Sequence, residues 1–238
     1  MLSLEQQNAL REAYGRANPG WRPATEVYAD RVRAQLWPAA HVLDLGCGRG
    51  GVVEQLDHPL GQVVGLDPDW HSLREHRLDL PRTAGSSEHL PFAEACFDVV
   101  FASWVLEHLQ RPHQTLRAVN RVLRPGGTFV FITPNGGHPL VWLNRGIGRF
   151  TRLQARLVEG LYGRDSGDTF PAYYRANTPS KLRQLSQKSN FILEELYIIP
   201  DPTYLAFTPT LFRLMGQLEQ RLPHERKLHL VGVLKRDT

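Results

Sequence analysis

Short apolar runs that each end in or near glycine or aspartate recur from residue 42 onward, and they constrain the fold more than any other feature of the chain. Val42-Leu43-Asp44-Leu45, Val63-Val64-Gly65-Leu66-Asp67, Asp98-Val99-Val100-Phe101-Ala102 and Thr128-Phe129-Val130-Phe131-Ile132 lack the alternation of a half-solvated strand, so each reads as a strand buried on both faces. Helical stretches fall between them. In Gln114 to Leu123 the residues Leu116, Val119, Val122 and Leu123 share a face, and Arg124-Pro125-Gly126-Gly127 stops the helix. Strand, helix and strand repeated in this way predict an α/β chain with a parallel, doubly wound sheet.

The rest of the chain divides around that core. Leu2, Gln6, Leu10 and Tyr14, then Val27, Val32 and Leu36, carry helical spacing and predict an N-terminal helical preamble over residues 1–38. The strand-forming core takes 39–135. A helix opened by Thr178-Pro179-Ser180, a strand from Phe191 to Leu196 and a last strand from Leu228 to Leu234 close the sheet within 178–238. Two segments are left over, a cap or substrate insertion at 136–177 and a second inserted segment at 200–226. With 238 residues, 42% of them hydrophobic, the chain supports one full core and these elaborations as a single domain, 1–238.

Composition excludes several classes. The longest apolar stretch, Phe97 to Leu106, is interrupted by Asp98 and Ser103 and falls short of the ~18 residues of a membrane-crossing helix. The start Met1-Leu2-Ser3-Leu4-Glu5 lacks the pattern of a secretory signal, which predicts a cytoplasmic protein. Two cysteines, Cys47 and Cys96, without ligand-type spacing predict no metal site. The formal charge of +4 is spread along the chain, and no nucleic-acid partner is expected.

The chemistry concentrates at Asp44-Leu45-Gly46-Cys47-Gly48-Arg49-Gly50-Gly51, which follows a strand and precedes the helix-compatible Val52 to Leu56. Glycines at 46, 48 and 50 let backbone turn tightly against a ligand. Gly46, Gly48 and Gly51 also satisfy the dinucleotide spacing, with Asp67 at the distance of a ribose-binding acid, so a nicotinamide oxidoreductase is one alternative. Asp44 opposes it. A carboxylate two residues before the first glycine suits a cationic amino group and repels a pyrophosphate.

The series Val42-Leu43-Asp44-Leu45-Gly46-Cys47-Gly48, Gly65-Leu66-Asp67, Gly85-Ser86-Ser87-Glu88-His89-Leu90-Pro91-Phe92, Phe97-Asp98-Val99-Val100, Leu106-Glu107-His108-Leu109 and Leu123-Arg124-Pro125-Gly126-Gly127 resembles, in this order, the class I S-adenosylmethionine-dependent methyltransferases. Within them the likeness is to the broad group that includes the quinone-biosynthesis methyltransferases, and it covers residues 42–134. The resemblance implies a Rossmann-like sheet of seven strands, the last antiparallel, and S-adenosyl-L-methionine as cofactor. It places Asp44, Gly46, Gly48 and Gly50 beside the methionine part, Asp67 on the ribose hydroxyls, Ser86 and Ser87 near the adenine, and Ala102 and Ser103 at the amino-acid end. Ser86 departs from the family, which has an acid there, so the adenine contact is weakened. A cofactor-binding protein without catalysis is the alternative that this departure suggests.

The resemblance also implies that Tyr173, Tyr174 and Arg175 border the acceptor. If the acceptor is a hydroxyl, the residues point to His138 as base, just past the strand ending at Thr133-Pro134, with a surface loop histidine as the alternative. The adjacent Glu107 and His108 read as structural before catalytic. Between Trp142 and Tyr162 two helical stripes stand apart, Arg145, Arg149, Arg152 and Arg156 against Leu143, Ile147, Phe150, Leu153, Leu157 and Leu161. Such a helix predicts either a docked cap with a solvated face or peripheral contact with an anionic membrane, at its inner face. The expected partner is a small-molecule acceptor methylated at oxygen, with a lipid, a quinone precursor and a lipid-linked sugar as candidates; the sequence leaves the oligomeric state open.

Overall fold

The computed structural model describes residues 4–148, 170–203 and 208–237. Two helices open the chain, α1 (Leu4–Ala17) and α2 (Ala24–Arg33), followed by β1 (Val42–Leu45), β2 (Val63–Asp67), a short α3 (Trp70–Arg74), β3 (Arg82–Ala84) and β4 (Phe97–Ser103). Next come α4 (Pro112–Val122), β5 (Leu123–Pro134), α5 (Pro139–Gly148), α6 (Pro179–Lys188), β6 (Phe191–Ile199), α7 (Pro209–Arg221) and β7 (His229–Arg236). The strands form one sheet in the order β3-β2-β1-β4-β5-β7-β6, parallel except for β7, which runs antiparallel to both of its neighbours.

The expected elements stand where the patterns put them, with local differences. Val52 to Gln55 form a single tight 3-10 turn instead of an α-helix, because the positive-φ glycine turn leaves only four residues before the extended Leu56. Leu106 to His108 form another such turn. The insertion at 200–226 contains α7, which starts on a Thr208 hydroxyl accepting from Leu211 N and carries Pro209 at its first position. The arginine stripe falls largely outside the described residues: Arg149, Arg152 and Arg156 are not covered, and the helix bearing Arg145 is described to Gly148. No described helix is long and apolar enough to cross a membrane.

Burial follows from the sheet. Phe101, Phe129, Phe131, Leu43 and Leu45 are sealed between helices on the two faces, and α4 gives the core its Leu116, Val119 and Val122. The opposite face takes Tyr28 and Val32 from α2, which lies across β5 and β7. Asp98 fastens the entrance of β4, accepting from His41 N at 2.8 Å and from Arg124 Nη1 at 2.5 Å. Doubly wound connections leave the carboxyl ends of β1, β2, β4 and β5 along one edge, and loops there border any ligand site.

Gly232 pairs with Phe131 across β5 and β7, and a Cβ at 232 would come within 3.0 Å of three Phe131 ring carbons. Overpacking of this kind costs about 1–3 kcal/mol. Gly232→Ala is therefore expected to lower unfolding free energy by about that amount in urea melts. Combined with Phe131→Leu, which vacates the ring's space, the double variant should lose less than the sum of the singles.

Candidate functional site

β1 ends in three residues whose backbone only glycine holds cheaply: Gly46, Gly48 and Gly50 have φ of +77°, +50° and +117°. Gly46 N and Cys47 N both donate to Leu66 O, at 2.7 and 3.2 Å, which bends the chain over the end of β2. The space beside Gly46 is taken by the Val105 side chain, while nothing lies within 4 Å of where a Gly48 Cβ would stand. The turn is thus closed on one side and open on the other. Farther along, Arg49 Nε donates to Glu75 Oε2 at 2.6 Å and Arg77 N donates to Arg49 O at 3.0 Å, which ties the turn to the end of α3.

Asp67 closes β2 and is buried. Its Oδ2 accepts from Gly48 N at 2.9 Å and its Oδ1 from Asp69 N at 2.8 Å. Each oxygen retains lone-pair capacity, as a vicinal diol requires. Burial raises the Asp67 pKa above the usual carboxylate range, against the lowering effect of these two amides. Asp44 lies deeper. Burial first, and then the Asp67 charge, push it up to about 8. Among the described residues no cation pairs with it, so an ammonium or sulfonium group would answer a need the chain leaves unmet.

One site residue escapes the sequence motifs. Tyr28, almost fully buried on α2, brings its hydroxyl to 3.1 Å from Ser103 Oγ, and the Asp44 charge adds to the burial that raises its pKa well above 10. The signal was faint, a tyrosine in the helical preamble with no partner in view. Ala102 is fully buried in β4 and Ser103 stands at its end, as the motif series implies.

The second serine has another occupation. Ser87 Oγ lies 3.3 Å from Thr115 Oγ1 on α4, whereas Ser86 is exposed and its Oγ accepts from Glu88 N at 3.2 Å. Gly85 N donates to Asp67 O at 3.1 Å, which lays this loop beside the end of β2. Cys47 is a core residue, with its thiol pushed up by burial and by the charges of Asp44 and Asp67.

On the other flank, the 106–110 turn holds the segment expected to meet the acceptor. Tyr173 N and Tyr174 N donate to Glu107 O at 2.7 and 3.0 Å. Tyr173 Oη accepts from Gln110 Nε2 at 2.8 Å, and Arg175 Nη1 donates to Gln110 O at 2.7 Å beneath a stacked Tyr173 ring. Tyr174 is buried with φ +52°. The Glu107 carboxylate, raised to about 7 by burial, accepts from Thr133 Oγ1 at 2.9 Å and locks this turn to β5.

His138 is not a surface loop residue. It is fully buried; Nδ1 accepts from Leu140 N at 3.1 Å, and Nε2 faces Glu219 Oε1 of α7 at 3.5 Å. An acid 81 residues away is beyond what spacing reveals. The structure groups His138 with Glu219, Asp201 and His229 where β5 and β6 end and the antiparallel β7 begins.

These features match known proteins. A methyltransferase-domain family model matches residues 43–131. A ubiquinone biosynthesis O-methyltransferase of Nitrosospira multiformis is 30% identical over 210 residues, 82% of this chain and 82% of that protein. A malonyl-[acyl-carrier protein] O-methyltransferase of Herminiimonas arsenicoxydans is 35% identical over 135 residues, 52% of either chain; the chain spans about half the length of several such curated relatives. The solved geranyl diphosphate C-methyltransferase of Streptomyces coelicolor, in complex with S-adenosyl-L-homocysteine, shares the fold at a TM-score of 0.59 and 14% identity, covering 89% of this chain and 77% of that one. Taken with the glycine turn, the acid at the end of β2 and the sheet order, they show that the chain belongs to the S-adenosylmethionine-dependent methyltransferases.

Proposed function

We propose that the chain transfers the methyl group of S-adenosylmethionine to an oxygen of a small, largely apolar acceptor, with a quinone precursor or lipid favoured over a lipid-linked sugar, and that it works in the cytoplasm. The observation that carries the acceptor half of this reading is the apolar chain beyond the cofactor turn. Trp104, Trp142, Leu143 and Phe170, on elements that leave β4 and β5 or fasten to them, are 37%, 53%, 59% and 51% exposed. Large apolar groups left exposed on these elements suit an apolar ligand. The likeness to an O-methyltransferase over most of the chain supports oxygen as the acceptor atom.

The bound cofactor supplies an electrophilic methyl on a cationic sulfur. The protein's part is placement and exclusion of water. Asp67 holds the ribose, Gly46, Gly48 and Gly50 let backbone approach the methionine part, and Asp44 answers its positive charge. The Glu107 clamp sets Tyr173 and Arg175 at the acceptor side. For His138 to take the hydroxyl proton, α7 must first withdraw Glu219 from Nε2. Contact of the arginine-bearing 142–162 stretch with the inner face of an anionic membrane would deliver a lipid-soluble acceptor.

Labelled methyl transfer into cell extract, followed by partition between organic and aqueous phases, tests the acceptor. Label should appear in the organic phase, in an ether or ester stable to mild acid. Label confined to water-soluble amines would refute the reading.

Replacing Asp67 removes two hydrogen bonds to a charged acceptor, each worth about 1.5–3 kcal/mol where it is fully made. Asp67→Ala is expected to weaken S-adenosylhomocysteine binding at least tenfold by calorimetry while leaving the far-ultraviolet spectrum unchanged.

The buried acids also predict an inverted pH dependence. Asp44 rises from 3.8 to about 8 on folding and Glu107 from 4.5 to about 7, so between about pH 4 and 8 the folded chain holds protons that the unfolded chain has released. Their contribution to stability is full below pH 4 and is lost as pH rises through 7 and 8. The ligand-free protein should therefore melt lower at pH 8 than at pH 5.5. S-adenosylmethionine, by holding Asp44 ionised, should release a proton on binding at pH 7. Calorimetry in two buffers of different ionisation enthalpy measures that proton, and Asp44→Asn should abolish it.

A further inference from the structure

Resting on the methyltransferase reading, we propose that Trp104 is the surface on which a flat aromatic acceptor stacks, so that the group methylated is a ring hydroxyl. Three independent observations converge on this residue. The first is its place. Trp104 directly follows Ser103, whose hydroxyl meets Tyr28 beside Asp44, and directly precedes Val105, whose side chain fills the space over Gly46. The turn that carries the indole is therefore laid against the cofactor turn.

The second is its backbone. Trp104 has φ +59°, a left-handed conformation that bulky residues rarely adopt and that glycine or asparagine would hold at less cost. Its N–H donates to Ile132 O at 3.0 Å, which fixes the turn to the end of β5. A strained position that keeps the largest side chain, where a small residue would relax it, points to a use for that side chain.

The third is how the ring is held. The indole meets the His229 imidazole edge-on, with centroids 5.1 Å apart and planes at 67°, and the residue remains 37% exposed. His229 is buried at the start of β7, 3.6 Å from Asp201 Oδ2. Burial lowers its pKa against the opposing pull of Asp201 and Glu219, with nearby His138 adding to the lowering. The imidazole thus braces the indole from the side. The bracing fixes orientation without covering the ring as a core contact would. Offset stacking needs a rigid π-face of this kind, whereas an aliphatic acceptor would gain only contact area from it.

Catechol, with cyclohexane-1,2-diol as its non-planar counterpart, is the probe, each titrated into the full chain loaded with S-adenosylhomocysteine. Catechol should quench tryptophan emission saturably and bind about tenfold more tightly than the saturated diol, the ratio that one aromatic stack supplies. Trp104→Leu should lose about tenfold in catechol affinity by calorimetry with S-adenosylhomocysteine affinity unchanged. Trp104→Phe, which keeps a flat face, should hold calorimetric affinity within about threefold while losing most of the quench, and it serves alone if the leucine variant does not fold. Equal binding of the two diols, no catechol binding, or a full quench in Trp104→Phe would overturn the proposal while leaving the methyltransferase reading intact. Failure of S-adenosylhomocysteine to bind the wild-type chain would overturn that reading itself.

Discussion

The Asp67 carboxylate, accepting from Gly48 N with one oxygen and from Asp69 N with the other, is the contact on which the site depends. It joins the glycine turn after β1 to the start of α3 after β2, beside the Arg49–Glu75 and Arg77–Arg49 contacts that tie the same turn to the end of α3. Because Asp69 in turn caps α3 by accepting from His71 N and Ser72 N, the chain from Gly46 to Arg74 is braced through one buried acid. A ribose docking on that acid meets a group already oriented and dehydrated. Little further ordering is needed on binding, which is how preorganisation turns contact into affinity.

The same arrangement is costly before a ligand arrives. Burial raises the proton affinity of both Asp44 and Asp67, and the Asp67 charge raises that of Asp44 further. Tyr28, whose pKa the Asp44 charge helps to raise, finds its partner in Ser103. On the proposed reading, the positive charge of the cofactor would turn that unfavourable pair into a recognition element.

How much of this was legible in the sequence divides by the kind of interaction. Strands buried on both faces and glycine turns at their ends are local properties, and the motif series placed β1, β2, β4 and β5 along them. Three-residue β3 has exposed ends and no apolar run, so nothing in its pattern separated it from loop. Tyr28 was illegible because its role is set by α2 packing across the sheet, and Ser87 because its hydroxyl turns to Thr115 on α4. His138 shows the limit most clearly. Its place just past a strand suggested an open loop, yet α7, formed some 80 residues later, seals it against Glu219.

The acceptor side is harder to read for a related reason. The residues proposed to hold the cofactor are a glycine turn and two acids, Asp44 and Asp67, at the carboxyl ends of β1 and β2, so short stretches of chain carry them. The residues proposed to meet the acceptor are scattered: Trp104 at the end of β4, braced by His229 at the start of β7, Trp142 on α5, and the segment fastened to Glu107 O. None of these is near another in sequence, except where Trp104 and Glu107 share a turn. Substitution in any one leaves the others' local patterns untouched, so this surface is free to change while the sheet and its glycine turn remain constrained. Different acceptors on a common cofactor site follow from that separation: the fold fixes where the methyl is presented, and the loops that leave the same edge determine what can reach it.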